Sequence, residues 1–214
     1  MKKVSDRLER LSESATLAMA RMSRELKEKG NDIIALSLGE PDFDTPEFIK
    51  KAAKKAIENN FSHYTPVPGL NELRSAIVKK FKRDNNLEYS IDQIVTSTGA
   101  KQSIANVCLS LLNPLDEVLL PCPYWVSYYE IIKLAEGIPV KIKSNIQTNF
   151  KVTAEQIESS ITKKTKMIMF SSPCNPSGTV YSKKELEAIA KVLEKHPNIY
   201  ILSDEIYEHI NFTK

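Results

Sequence analysis

Residues 118–142 read VLLPCPYWVSYYEIIKLAEGIPVKI. The apolar run Val118 to Leu120 has the length of a buried strand and stops at Pro121-Cys122-Pro123. A helical period follows over residues 124–135, and a second strand-like run fills Ile138 to Ile142. The same alternation continues on both sides. Short apolar runs at Gln93 to Thr96, Met167 to Phe170 and Tyr200 to Leu202 predict three further strands. Segments near 102–112, 153–160 and 183–195 predict the helices between them. Strand, helix, strand, helix predicts an α/β fold built on a mostly parallel, buried sheet. Ligands of such sheets bind beyond the carboxyl ends of the strands, so the chemistry is to be sought there.

Upstream of residue 91 the pattern is different. An amphipathic helix is predicted over 12–29 and closed by Gly30, followed by a short strand from Asp32 to Leu38. Thr45-Pro46 opens another helix, with Phe48, Ala52, Ala53, Ala56 and Ile57 at helical spacing. Tyr64 to Gly69 has the composition of a loop, and Leu70, Leu73, Ile77, Val78 and Phe81 mark a second amphipathic helix.

Composition narrows the function classes. Hydrophobic residues make up 42% of the 214 and charged residues 27%, enough apolar material for a sizeable core. The net charge is +3, with thirty basic side chains dispersed among twenty-seven acidic ones, which argues against a nucleic-acid patch. Cys108, Cys122 and Cys174 are far apart and odd in number, and His63, His196 and His209 do not fall at metal-ligand spacing, so no metal site is predicted. Free thiols, no apolar leader and no stretch of membrane-spanning length give the expectation of a soluble, cytoplasmic protein.

Four of the five strand ends carry polar or aromatic groups. The first runs into Thr98-Gly99-Ala100-Lys101 and directly into a helix, where free backbone amides and the helix dipole suit a phosphate; a structural turn needs the same glycine. The Walker loop and the dinucleotide glycine fingerprint are both absent, which removes the phosphate cradle a nucleotide hydrolase needs. After the second strand stands Trp125, the only tryptophan, placed either for core packing or to stack on a planar ring. Asn175 follows the fourth strand, as a turn former or a polar ligand. Asp204 ends the fifth, with Tyr207 three residues on. A carboxylate at a buried strand end needs a partner, an arginine or helix N-terminus in the structural case. Taken together, the four ends fit one aromatic, phosphorylated, nitrogen-containing ring.

These segments, in this order, resemble the fold-type-I aminotransferases, most closely the bacterial aspartate aminotransferase branch. The resemblance is carried by Leu38-Gly39-Glu40-Pro41-Asp42-Phe43, Tyr64 with Gly69, Gly99-Ala100-Lys101-Gln102 and Pro123-Tyr124-Trp125-Val126-Ser127-Tyr128. It continues in Ser172-Pro173, Asn175-Pro176 with Gly178, and Ser203-Asp204-Glu205-Ile206-Tyr207-Glu208. It implies the fold-type-I large-domain sheet and a pyridoxal 5'-phosphate cofactor. By the resemblance, residues 1–45 belong to the small domain and 46–214 to the N-terminal part of the cofactor-binding large domain. Gly99, Ala100 and Lys101 would hold the cofactor phosphate, Trp125 would stack on the ring, Asn175 and Tyr207 would bond its 3-oxygen, and Trp125 and Asn175 would also face substrate. Asp204 would pair with the protonated ring nitrogen, so Asp204 and Tyr207 are the expected catalytic residues. Gly39 would lie against the substrate carboxylate. Tyr64 would reach the phosphate of the other subunit of a homodimer.

The implied substrates are a small amino acid and a 2-oxo acid. Lys101 with Ser14 and Thr16 resembles the dicarboxylate-specific pattern of the branch; a helix-capping Ser14 and a solvated Lys101 are the plain structural alternative. Aspartate with 2-oxoglutarate is the leading pair and glutamate with prephenate the alternative, as is a non-catalytic fragment of the fold. Two departures from the family pattern are Cys174 and Ser177, where asparagine and threonine are common. The peptide bonds before Pro176 and Pro123 are expected to be cis. The family's Schiff-base lysine and the arginine for the substrate α-carboxylate are expected beyond Lys214, so residues 1–214 alone are expected to be inactive. Two strands of the family sheet are expected there as well, which predicts that segment 93–96 pairs with no other strand of this chain and that the 200–202 edge stays open.

Overall fold

A computed structural model describes residues 3–210 and 212. Among these, eight α-helices are α1 Asp6–Glu9, α2 Ala15–Glu28, α3 Glu47–Glu58, α4 Asn71–Asn85, α5 Ala100–Leu111, α6 Val126–Leu134, α7 Ala154–Ser160 and α8 Lys183–Leu193. Four strands are β1 Glu117–Pro121, β2 Ile138–Ile142, β3 Thr165–Ser171 and β4 Tyr200–Asp204. The chain packs as two compact units, one of residues 1–15 with 99–214 and one of residues 16–98.

In the first unit the four strands form one all-parallel sheet in the order β2-β1-β3-β4. Successive side chains of a strand point to opposite faces, and both faces here are covered. Val118 and Leu120 of β1 and Met167 and Met169 of β3 pack with Ile104, Cys108, Tyr128, Ile131 and Ile132 of α5 and α6. Leu119 and Ile168, one residue out of phase, pack on the other face with Ile157 of α7 and Ile189, Val192 and Leu193 of α8. Two of the helices facing this second layer are started by capping boxes, Thr153 with Gln156 and Ser182 with Glu185. At the N-terminus, Ser12 N donates to Glu130 of α6 at 3.1 Å, and Arg7 and Arg10 lie 4.0 and 3.8 Å from Glu136. Those contacts hold residues 11–15 beside α6.

The second unit contains α3, α4 and the segment after it, and here two predicted strands do not form. Residues 32–38 have no regular structure, and Ile34 and Leu36 are 85% and 91% exposed. An apolar run becomes a strand only beside another backbone, and none of the described residues pairs with this one. Residues 91–93 form a 3-10 turn and 94–96 are irregular, so segment 93–96 belongs to no sheet, as the family topology predicts. Its backbone is satisfied otherwise. Arg74, 7% exposed, donates from Nε to Ile94 O at 2.9 Å and from Nη2 to Ile91 O at 2.6 Å. Thr96 N donates to Pro68 O at 2.9 Å, and the approach is close because Gly69 has φ +104 and no side chain. A Cβ there would stand 2.0 Å from Thr96 Oγ1. The helix begun by Thr45-Pro46 has Pro46, not Thr45, at its N-cap, and no side chain caps it.

Candidate active site

Three of the strand ends of the first unit converge with the start of α5. Gly99, at φ +85, is the N-cap of α5, and the first intrahelical bonds are made by Gln102 and Ser103 to Gly99 O. The amides of Ala100 and Lys101 therefore precede the helical ladder, and no side chain caps them. A Cβ built at Gly99 would have nothing within 4 Å.

Trp125 is the N-cap of α6, set there by the turn with a cis Cys122-Pro123 bond after β1. Its indole meets the Tyr128 ring edge-on, with centroids 5.5 Å apart at 90°. Lys101 Nζ lies 5.0 Å from the centroid of the same indole. After β3 the chain turns through cis bonds at Ser172-Pro173 and Asn175-Pro176, the first of which the sequence does not signal. This turn presents Asn175, whose side-chain amide donates to Tyr207 Oη at 2.8 Å.

Asp204 closes β4, in register with Ser171 of β3. One carboxylate oxygen, Oδ2, accepts from Tyr128 Oη at 2.7 Å, and the other accepts from Ile206 N at 3.2 Å. Both donors are neutral. Among the described residues no arginine or lysine pairs with Asp204, so the purely structural account of this acid finds no counter-ion. Burial, with the bond to Asp204 second, pushes the Tyr128 hydroxyl well above its ordinary pKa, so the phenol stays protonated and acts as a donor.

Beside this cluster a cavity of about 400 Å³ opens between residues 11–15 and α6. Ser14, Lys101, Tyr124, Val126 and Ile131 are among its lining residues, so Ser14 and Lys101, far apart in sequence, share one wall. Gly99, Ala100, Lys101, Trp125, Asn175, Asp204, Tyr207 and Ser14 thus all lie in the first unit. Thr16, in the first turn of α2, Gly39, in the irregular stretch before α3, and the fully exposed Tyr64 lie in the other unit and are not among the residues gathered here. The sequence reading missed the role of Tyr128 because nothing local distinguishes it from its aromatic neighbours; only the fold brings it to an acid 76 positions away. Among the described residues no cluster of histidine, cysteine and acidic side chains could hold a metal ion, and no helix is long and apolar enough to cross a membrane.

The family described as aminotransferase class I and II matches residues 31–214. The chain belongs to this aminotransferase family. It is 51% identical over 209 residues to a probable aspartate/prephenate aminotransferase of Rickettsia bellii, covering 98% of this chain and 52% of that protein. It is 47% identical over 209 residues to the aspartate/prephenate aminotransferase of Cereibacter sphaeroides, again covering 98% and 52%. Among solved structures, the aspartate aminotransferase of Rhizobium meliloti superposes with a TM-score of 0.95 at 40% identity, over 100% of this chain and 53% of that one. The aspartate aminotransferase of Thermus thermophilus with maleate also gives 0.95, at 39% identity, over 100% and 56%. The chain spans about half the length of these aminotransferases.

Proposed function

We propose that the protein is a pyridoxal-phosphate-dependent amino-acid aminotransferase whose preferred reaction moves the amino group of aspartate to 2-oxoglutarate. The observation that carries this reading is Asp204: a carboxylate at a strand end, held by two neutral donors, with no cation paired to it among the described residues. A protonated pyridine nitrogen is the partner such a site lacks. When bound, pyridoxal phosphate supplies a cationic ring that takes up negative charge from the substrate α-carbon. The chain's residues fit that group at each end. The amides of Gly99, Ala100 and Lys101 offer donors and a helix dipole to its phosphate. Trp125 offers a flat apolar surface, and Asn175 with Tyr207 offers a preformed amide–phenol pair for the ring oxygen. Asp204, at the end of β4, offers its carboxylate to the protonated ring nitrogen.

Substrate choice rests on the cavity beside α6. Lys101 and Ser14 on its wall can hold the distal carboxylate of a dicarboxylic amino acid. The Thermus thermophilus neighbour was solved with maleate, itself a dicarboxylate, which supports this reading. The relatives' names, aspartate/prephenate aminotransferase, favour prephenate as a second acceptor, and the apolar Val126 and Ile131 of the same wall suit its ring. In the whole enzyme we place residues 1–45 in the small domain and Tyr64 at a homodimer contact, with a cytoplasmic location.

Oxaloacetate formation from aspartate and 2-oxoglutarate by the native full-length protein tests the proposal. Addition of pyridoxal phosphate to cofactor-stripped protein should restore turnover. Asp204→Asn should lower kcat by roughly 100-fold or more, the scale of removing one preorganised charge, with the fold intact by circular dichroism. Near wild-type turnover in Asp204→Asn would reduce Asp204 to a structural carboxylate and remove the basis of the proposal.

A further inference from the structure

Tyr128 is 1% exposed and sits in the layer formed by α5, α6 and one face of the sheet. A side chain there for packing alone would serve as well as phenylalanine. Its hydroxyl instead crosses out of the apolar layer to the carboxyl end of β4 and donates to Asp204 Oδ2 at 2.7 Å. Its ring meets the Trp125 indole edge-on three residues earlier, in the first turn of α6. One side chain therefore touches both the indole proposed to lie under the ring and the carboxylate proposed to meet its nitrogen. Ser171, in register with Asp204 on the neighbouring strand, is 6% exposed, and its buried hydroxyl has no hydrogen-bond partner of its own.

We propose that Tyr128 is a positioning residue for Asp204: its phenol fixes the carboxylate's orientation, so that the acid meets a pyridine nitrogen from a preset direction. This rests on the reading of Asp204 given above. The physical basis is general. A bond from a buried, well-packed ring limits a carboxylate's rotation. The second donor, Ile206 N, comes from the flanking turn at 3.2 Å and leaves the side chain's far oxygen to Tyr128.

Pyridoxamine 5'-phosphate is a suitable probe because it carries the ring, the phosphate and the ring nitrogen but no aldehyde, so its binding needs no covalent bond to lysine. Calorimetric titration of the cofactor-stripped, native full-length protein should show Tyr128→Phe binding it about three- to tenfold more weakly than wild type, a fraction of one bond to a charged acceptor because that bond is present with and without the probe. In an Asp204→Asn background the same substitution should add nothing, because the group through which Tyr128 acts has gone. Equal affinity of wild type and Tyr128→Phe, or an undiminished loss in the Asp204→Asn background, would overturn the inference. A second measurement holds even if Tyr128→Phe fails to fold. With tyrosines labelled at the ring Cζ, the Tyr128 resonance should move when the probe binds to wild type and should move when Asp204 becomes asparagine; a resonance unchanged in both would refute the link. Failure of wild type to bind the probe would overturn the cofactor reading itself, whereas binding weakened by Asp204→Asn but not by Tyr128→Phe would overturn only the role of Tyr128.

Discussion

Lys101 has two possible employments, and its surroundings separate them. Its backbone amide precedes the α5 ladder, while its side chain leaves the helix toward Trp125 and the cavity that Ser14 also lines. An ammonium 5.0 Å from an indole centroid is held by a cation–π attraction worth about 0.5–1 kcal/mol at an exposed site, weak enough to be given up for a carboxylate. Lys101→Ala should therefore lower kcat/KM for aspartate by about tenfold or more, the scale of a charge-assisted hydrogen bond, and leave alanine nearly unaffected. Steady-state kinetics with both amino acids checks it; unchanged aspartate kinetics would return Lys101 to a solvated surface role. The strand-end positions of Trp125, Asn175 and Asp204 were legible in the sequence because each follows an apolar run that does form a strand. Tyr128 was not legible. Its meaning depends on the fold that brings its hydroxyl to the end of β4, and one sequence carries no signal of that pairing.

At the scale of elements, the second face of the sheet depends on how α8 is started. Glu185 closes the capping box with Ser182 and also meets Lys151, with Oε1 2.6 Å and Oε2 2.8 Å from Nζ. The Lys151 bond first, then the Ser182 amide and hydroxyl, pull the Glu185 carboxyl from 4.5 to about 2. A depressed folded-state pKa gives a contribution that is complete above the ordinary carboxylate range and is lost as pH falls through the folded value. Thermal unfolding followed between about pH 5 and pH 2 should thus show wild type losing stability more steeply than Glu185→Gln. Parallel slopes would mean that the pair contributes nothing, as exposed ion pairs often do. In the other unit, Arg74 does for segment 91–94 what a neighbouring strand would otherwise do, supplying donors to two carbonyls. Arg74→Met should destabilise that unit by about 1–3 kcal/mol by leaving a buried carbonyl unpaired, and amide exchange of residues 91–96 should rise with it. The predicted strands at 32–38 and 93–96 failed for one physical reason. Apolar composition states that a segment is suited to burial, whereas strand formation also requires a partner backbone, and composition says nothing of the partner.

Across the whole molecule, the unit that carries the proposed site is the one whose architecture could be predicted. Its strands are short, α7 and α8 open with capping boxes, and helical connections between the strands give a parallel sheet. The other unit offers amphipathic stripes such as that of α3, where Phe48 and Ile57 remain 73% and 78% exposed, and nothing within it fixes what they meet. β4 ends the sheet with Tyr200 and Ile201 about half exposed, an open apolar edge of the kind that another backbone ordinarily covers. The chain spans about half of the aminotransferases it matches, so the complete catalytic unit is best judged in the native full-length protein. The central claim is that the ends of β1, β3 and β4 and the start of α5 together hold one phosphorylated pyridine ring. A crystal structure of that protein with pyridoxal phosphate tests it most directly. The account predicts the phosphate on the amides of Gly99, Ala100 and Lys101, the ring against Trp125, its 3-oxygen at Asn175 and Tyr207, and its nitrogen on Asp204. A ring bound elsewhere, or one whose nitrogen faces away from Asp204, would contradict it.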